Sequence, residues 1–256
     1  MQQNNSFHFF NQYFSKVYVL TLERATDRHE KITKNLSNLN FSFFYGADKQ
    51  QFDIEDLINK NIYNKEKAIQ LQRYHKPMTG GQIGCSWSHR LIYEDVIKNN
   101  YQRVLILEDD VVPNLENLHL FSNIVNELPQ HWDLLYLDYH KNIHTNISTF
   151  FKQKTYQIQR LLGHLNWSKK TINNLYAKPY SQHLKKAGFH MYTSAYAITP
   201  KAAQTLIQLQ TPIAHVADHL LAHAITNEYI NGFISVPKLF EQESQGNTKL
   251  VNSYVD

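Results

Sequence analysis

The chain has 256 residues, 42% of them hydrophobic, enough to fill a sizeable core, and a formal net charge of +4, too weak to mark a nucleic-acid binder but compatible with an anionic substrate or membrane surface. A lone cysteine, Cys85, excludes an intramolecular disulfide and fits a reducing compartment. The first residues lack a secretory pattern and no window approaches the roughly 18 apolar residues of a spanning helix, so the cytoplasm is the expected setting.

Lys16 to Leu20 is a short apolar run that reads as a buried strand. In the loop that follows, Thr26 is the expected N-cap of a helix in which Ile32, Leu36 and Leu39 recur at helical spacing to Asn40. Arg24 and Arg28 then lie near a helix N-terminus, where backbone N–H groups and the dipole favour phosphate; solvated surface charges are the competing reading. Phe41 to Tyr45 looks like a second strand, ending in the turn signal Gly46-Ala47-Asp48. The polar stretch from Lys49 to Pro77 reads as a surface excursion with one short helix near Asp53 to Asn59.

Three of the eight glycines fall between Gly80 and Gly84, where the backbone must turn sharply or approach something closely. Cys85, Ser88, His89, Ile92 and Val96 follow at helical spacing until Asn99-Asn100. The pattern is neither a Walker loop nor a dinucleotide fingerprint. Cys85 and His89, one turn apart, have the form of a nucleophile and base, though cysteine usually packs. Ser88 and His89 are better candidates for hydrogen-bonding a substrate.

Val104 to Leu107 is another buried run, and it ends in Glu108, Asp109 and Asp110. Three carboxylates at a buried strand end need neutralising. Hard oxygen ligands suit Mn²⁺ or Mg²⁺, which also take oxygens from a substrate phosphate. An acidic helix cap is the alternative. In open α/β sheets ligands lie beyond the carboxyl ends of strands, where these acids and the loop from Thr21 to Arg24 would meet.

The order Val17-Tyr18-Val19-Leu20-Thr21-Leu22-Glu23-Arg24 with Asp27-Arg28, then Ala47-Asp48, then Gly81-x-x-Gly84-Cys85-x-x-Ser88-His89, then Leu107-Glu108-Asp109-Asp110-Val111 resembles glycosyltransferase family 25. That family includes bacterial lipooligosaccharide galactosyltransferases and collagen-modifying enzymes. Thr21 stands where the family usually has asparagine, and Lys49 where a glycine often follows the Ala-Asp pair. The resemblance implies a GT-A-like nucleotide-diphosphosugar transferase fold, α/β with a mixed, mainly parallel sheet flanked by helices. It also implies a UDP-sugar donor, an inverting transfer and a divalent metal on the acidic motif. Matched position by position, it assigns Leu20, Thr21, Leu22, Arg24, Arg28, Ala47, Asp48, Gly81, Ser88, His89, Glu108 and Asp109 to the donor. By analogy with DxD motifs, Asp110 with Glu108 would hold the metal, Mn²⁺ or Mg²⁺.

Beyond the motif a helix is expected from Asn114 to Leu128, broken by Pro129, then a strand from Trp132 to Asp138. Asp138 there either faces the sugar or serves a turn. From 139 to 187 lysines interleave with aromatics, compatible with a glycan or glycolipid acceptor, with peripheral contact on an anionic membrane at its inner face, or with solvated loops and a short helix. No nucleic-acid module accompanies them. Thr193 to Ile198 is extended, and Thr199 caps a helix with Pro200 in its first turn. Asp218 is the expected catalytic base or acceptor-positioning residue, because an inverting transfer needs a carboxylate beside the acceptor hydroxyl. His215, His219 and His223 lie four apart, superficially a zinc pattern. A third metal ligand is sought in His190 or the polar tail. The expected organisation is one domain over 1–256: a donor half at 16–138, the variable basic segment, and acceptor-side elements at 188–256. The expected activity is transfer of a hexose, galactose from UDP-galactose, onto a lipooligosaccharide or other cell-surface glycan. A metal-dependent phosphohydrolase and a non-catalytic glycan-binding protein are the rivals.

Overall fold

In the computed structural model, residues 7–72 and 75–243 are described. The strands are β1 (Lys16–Thr21), β2 (Ser42–Tyr45), β3 (Val104–Glu108), β4 (Val111–Pro113), β5 (Leu134–Tyr136), β6 (Lys178–Pro179), β7 (Leu184–Lys186), β8 (Ala195–Ile198), β9 (Gly232–Ser235) and β10 (Phe240–Gln242). The helices are α1 (His8–Tyr13), α2 (Thr26–Asn35), α3 (Ile54–Asn59), α4 (Lys65–Leu71), α5 (Gly80–Lys98), α6 (Phe121–Glu127), α7 (Ile147–Leu161), α8 (Lys169–Asn173), α9 (Pro200–Leu209) and α10 (Ala217–Thr226).

One sheet runs β2-β1-β3-β8-β5-β9-β7-β6, with β8 and β7 antiparallel to the other strands, so the expected mixed, mainly parallel class holds. Alternate residues of β1 and β3 feed two cores. Val17, Val19, Leu105 and Leu107 pack with Phe10, Ile32 and Phe121 on one face. Tyr18, Leu20, Val104 and Ile106 pack with Ile92, Val96, Leu206 and Leu221 on the other. Helices therefore cover both faces, and the carboxyl ends of β1, β2 and β3 emerge together at one edge.

Several elements differ from expectation. Thr26 is the first residue of α2 rather than its cap, and the helix stops at Asn35. Leu36 and Leu39 are still buried, but in the turn beyond, so helical spacing outran the helix itself. The helix expected from Asn114 is confined to Phe121–Glu127, after a 3₁₀ turn at Leu118–Leu120. The excursion from Lys49 is not all surface: it contains α4 besides α3, and Leu57, Tyr63 and Ala68 form a small core with Ile83 of α5 and Ile213. The basic segment holds the 15-residue α7 in addition to a short helix, α8. No helix among the described residues is long and apolar enough to cross a membrane.

Candidate active site

At the edge where β1 and β3 end side by side, Leu20 is in register with Glu108. The three acids that follow have different surroundings. Asp109 is held on both oxygens: Thr21 Oγ1 donates to Oδ2 at 2.6 Å, and Arg28 pairs with Oδ1 at 2.6 Å. Burial pushes its carboxyl above the usual range, although Thr21 and Arg28 pull the other way. Glu108 accepts the Thr193 hydroxyl at 2.5 Å and faces His89 Nε2 at 3.4 Å. Burial works against its charge, but hydrogen bonds from His89 and Thr193 and the Arg28 charge outweigh it and hold the carboxyl low.

Asp110 differs from both. Its Oδ2 accepts Gln242 Nε2 at 2.9 Å, while its buried Oδ1 has no hydrogen-bond partner among the described residues. Burial, then the Glu108 charge, pushes its pKa up to about 7 against the pull of Gln242. A buried, unpaired carboxylate oxygen beside a second carboxylate is a donor set that fits a hard divalent cation.

The surrounding polar groups are held by the protein. His89, protonated on Nε2, can donate to Glu108 while its Nδ1 accepts the Tyr196 hydroxyl at 2.8 Å; Tyr93 meets the same hydroxyl at 2.9 Å. Ser88 donates to Gly84 O at 2.6 Å and accepts Ala47 N–H at 2.8 Å, pinning the loop after β2 to α5. Gly84 permits that approach, since a Cβ there would stand 2.6 Å from Ala47 O. Gly81 is buried in the first turn of α5, whose N-cap Thr79 forms a capping box with Gln82. Asp48 pairs with Arg24 Nε at 2.5 Å, a bond that holds its carboxyl below the usual range despite burial. Both arginines thus engage buried acids, contrary to the reading of them as solvated surface charges. Leu22 is half-buried and its carbonyl meets His29 Nε2 at 3.0 Å, the nitrogen that also meets Thr21 Oγ1 at 3.1 Å.

Asp218, in the first turn of α10, accepts the Tyr192 N–H at 3.3 Å. Tyr192 has φ of 79°, a left-handed conformation unusual for a bulky residue and of the kind found where function constrains the backbone. Burial, then the charges of Glu108, Asp218 and Asp110, push the Cys85 thiol well above its ordinary pKa. The same shift removes the nucleophile reading of Cys85, because the reactive form is the thiolate. Tyr136, fully buried, also feels Asp218, and its hydroxyl has no partner among the described residues.

Other candidates fall away. Both His190 nitrogens are engaged, Nε2 by Gly188 N–H at 3.0 Å and Nδ1 by Lys141 O at 2.9 Å, which removes it as a third ligand. The polar tail, the other source considered, lies outside the described residues beyond Glu243. Asp138 is fully committed to Lys238 at 2.9 Å and to Ser194 at 2.5 Å. Among the described residues the metal-ligand atoms that gather are those of Cys85, His89 and Glu108, within 4.8 Å of one another, and not those of the three spaced histidines. Thr193, Tyr196 and Gln242 are site residues that motif reading missed.

A family model described as glycosyltransferase family 25 (LPS biosynthesis protein) matches residues 14–221. The chain belongs to glycosyltransferase family 25. A glycosyltransferase 25 family member of Anopheles gambiae is 29% identical over 205 residues, covering 77% of this chain and 29% of that protein. Procollagen galactosyltransferase 1-B of Xenopus laevis is 26% identical, covering 48% and 21%. Inactive glycosyltransferase 25 family member 3 of Homo sapiens is 28% identical, covering 48% and 22%. The chain spans under a third of the length of these relatives. The family-25 match takes in every residue described above from Leu20 to Asp218 and leaves Gln242 outside it.

Proposed function

We propose that this family-25 chain is an inverting hexosyltransferase that moves galactose from UDP-galactose onto a lipooligosaccharide or other cell-surface glycan. The observation that carries the reading is the buried Asp110 Oδ1, without a hydrogen-bond partner among the described residues, two positions beyond Glu108 at the end of β3. The family description supports the acceptor class, and the name of the Xenopus relative supports the sugar.

Asp110 and Glu108 would hold Mn²⁺ or Mg²⁺, which when bound supplies Lewis-acid stabilisation of the departing diphosphate. Around it the chain's own groups divide the work. Arg28 and Thr21 keep Asp109 fixed behind the motif, and His89 and Thr193 orient Glu108. Leu20, Thr21 and Leu22, with Arg24, Ala47, Asp48, Gly81 and Ser88, shape the donor side. Asp218 takes the proton of the acceptor hydroxyl as that oxygen bonds to the anomeric carbon. The bond from that carbon to the diphosphate breaks, and UDP leaves with the electron pair. The setting we propose is the cytoplasm, where a chain without an intramolecular disulfide needs no oxidising compartment to fold.

The human relative named inactive favours one rival, glycan binding without turnover. Incubation with Mn²⁺ and UDP-galactose separates the readings. UDP released only when a glycan acceptor is present supports transfer, and glycan retention without UDP release supports the rival. Phosphate release regardless of the sugar would indicate hydrolysis.

A further inference from the structure

Helix α7 presents its apolar residues to solvent. Ile147 is 78% exposed, Phe150 55%, Phe151 63%, Ile158 58% and Leu161 78%. At 3.6 residues per turn these positions fall within an arc of about 100°, a continuous stripe about 22 Å long. The opposite face is the anchored one. Tyr156 is buried against Trp167, with ring centroids 5.6 Å apart, over a small core that includes Ile172 and Ala222. Gln153 also ties α7 to the Ile172 carbonyl at 2.7 Å. The outward stripe is therefore built into a fixed helix.

The charge around the stripe selects what covers it. Between Asp138 and Asp218 the sequence carries ten Lys or Arg and no Asp or Glu. The whole chain is only +4, so the remainder is net acidic and this segment is strongly polarised. Lys154 lies within the stripe, and Lys152 and Arg160, nearer the Tyr156 side of the helix, are exposed as well. A second copy of the same face would set these cations against their like, which disfavours self-association. An anionic bilayer answers both features: apolar side chains enter the boundary of the acyl region while lysine and arginine stems extend to the headgroup phosphates. We infer that α7 lies flat on an anionic phospholipid surface and holds the enzyme there.

This docking is independent of the transfer chemistry, and its test reads vesicle binding instead of turnover. The full chain is sedimented with phosphatidylcholine vesicles and with vesicles that also contain phosphatidylglycerol. The expected result is sedimentation with the anionic vesicles only, weakened by salt. A Phe150→Ser, Phe151→Ser, Leu161→Ser variant should lose at least about tenfold in partition, and a Lys154→Gln variant about fivefold. Because these side chains are exposed, both variants should unfold at the wild-type temperature. The inference is overturned if the wild type stays in the supernatant with anionic vesicles, sediments equally with phosphatidylcholine alone, or binds no better than the triple-serine variant. It is also overturned if that variant changes only the sedimentation-velocity mass of the free protein, which would give the face to a second copy.

Discussion

Replacing Arg28 with alanine should uncouple the centre from inside. The side chains of Arg28 and Asp109 are 13% and 8% exposed, and the pair is made at 2.6 Å, so removing the guanidinium leaves a carboxylate with little solvent. Breaking a buried pair from one side typically costs about 3–5 kcal/mol. Protonation caps the penalty: neutralising at pH 7 a carboxyl that starts from the ordinary 3.8 costs about 4 kcal/mol. The hydrogen bond that Thr21 keeps donating to Oδ2 returns about 1 kcal/mol of that, so the expected loss at pH 7 is about 3 kcal/mol. At pH 5 the cap falls to about 2 kcal/mol, because the proton is easier to acquire, and the deficit should shrink. Urea denaturation of wild type, Arg28→Ala, Asp109→Asn and the double variant at both pH values reads this directly. The double variant should recover most of the loss. A deficit below about 1 kcal/mol at pH 7, or one unchanged at pH 5, would refute the argument that Arg28 neutralises a buried charge.

Other expectations concern single positions. Asp110→Asn should keep the fold and lose turnover, with thermal unfolding and UDP release measured side by side; full activity would remove the acidic motif from the mechanism. Asp218→Asn should lower kcat by about 10²–10⁴-fold with the KM for donor little changed, the pattern of a lost general base, whereas a change in KM alone would make Asp218 a binding group. Gly84→Ala should destabilise by about 1–3 kcal/mol, because the new methyl meets the Ala47 carbonyl, a backbone atom that cannot swing aside; unchanged stability would mean that α5 and the loop after β2 can part freely. Acid should also weaken the fold through His190, whose pKa burial lowers to about 4. The unfolded chain takes up a proton near pH 6.5 and the folded one does not, so stability falls by up to about 3 kcal/mol as pH drops from 6.5 to 4. A His190→Gln variant should show a flatter profile across that window, and an equally steep one would assign the acid loss elsewhere.

The parts of the fold that could be read from the sequence were those whose signal is local. β3 stood out because aliphatic residues buried on both faces end abruptly in three acids, and α5 through the helical spacing from Cys85 to Val96, although the helix begins a turn earlier, at Gly80, with the glycines inside it. α2 was overextended since Leu36 and Leu39 keep helical spacing while packing as a turn. α7 was hidden because its apolar face points outward and its inner face is polar apart from Tyr156, the reverse of the usual pattern. In the site, the acids and Asp218 were legible as residue types at strand and helix ends. Their division of labour was not. Whether an acid is paired or open depends on Arg28, Thr193 and Gln242, partners that no spacing rule connects to the motif.

β10 lies antiparallel on β4, and through it Gln242 reaches Asp110 from 132 residues further along the chain, while the Glu243 amide bonds the Asp110 carbonyl at 2.9 Å. During synthesis the ribosome will have released the acids, α5 and the whole eight-stranded sheet before the segment that seats Asp110 emerges. Asp110 therefore meets its Gln242 partner only after β10 has emerged and clipped onto β4. Truncation before residue 240 would strip Phe240 from the aromatic core it shares with Phe7 and Phe10 together with Gln242 from Asp110, so one short strand ties the stability of the fold to the seating of that acid.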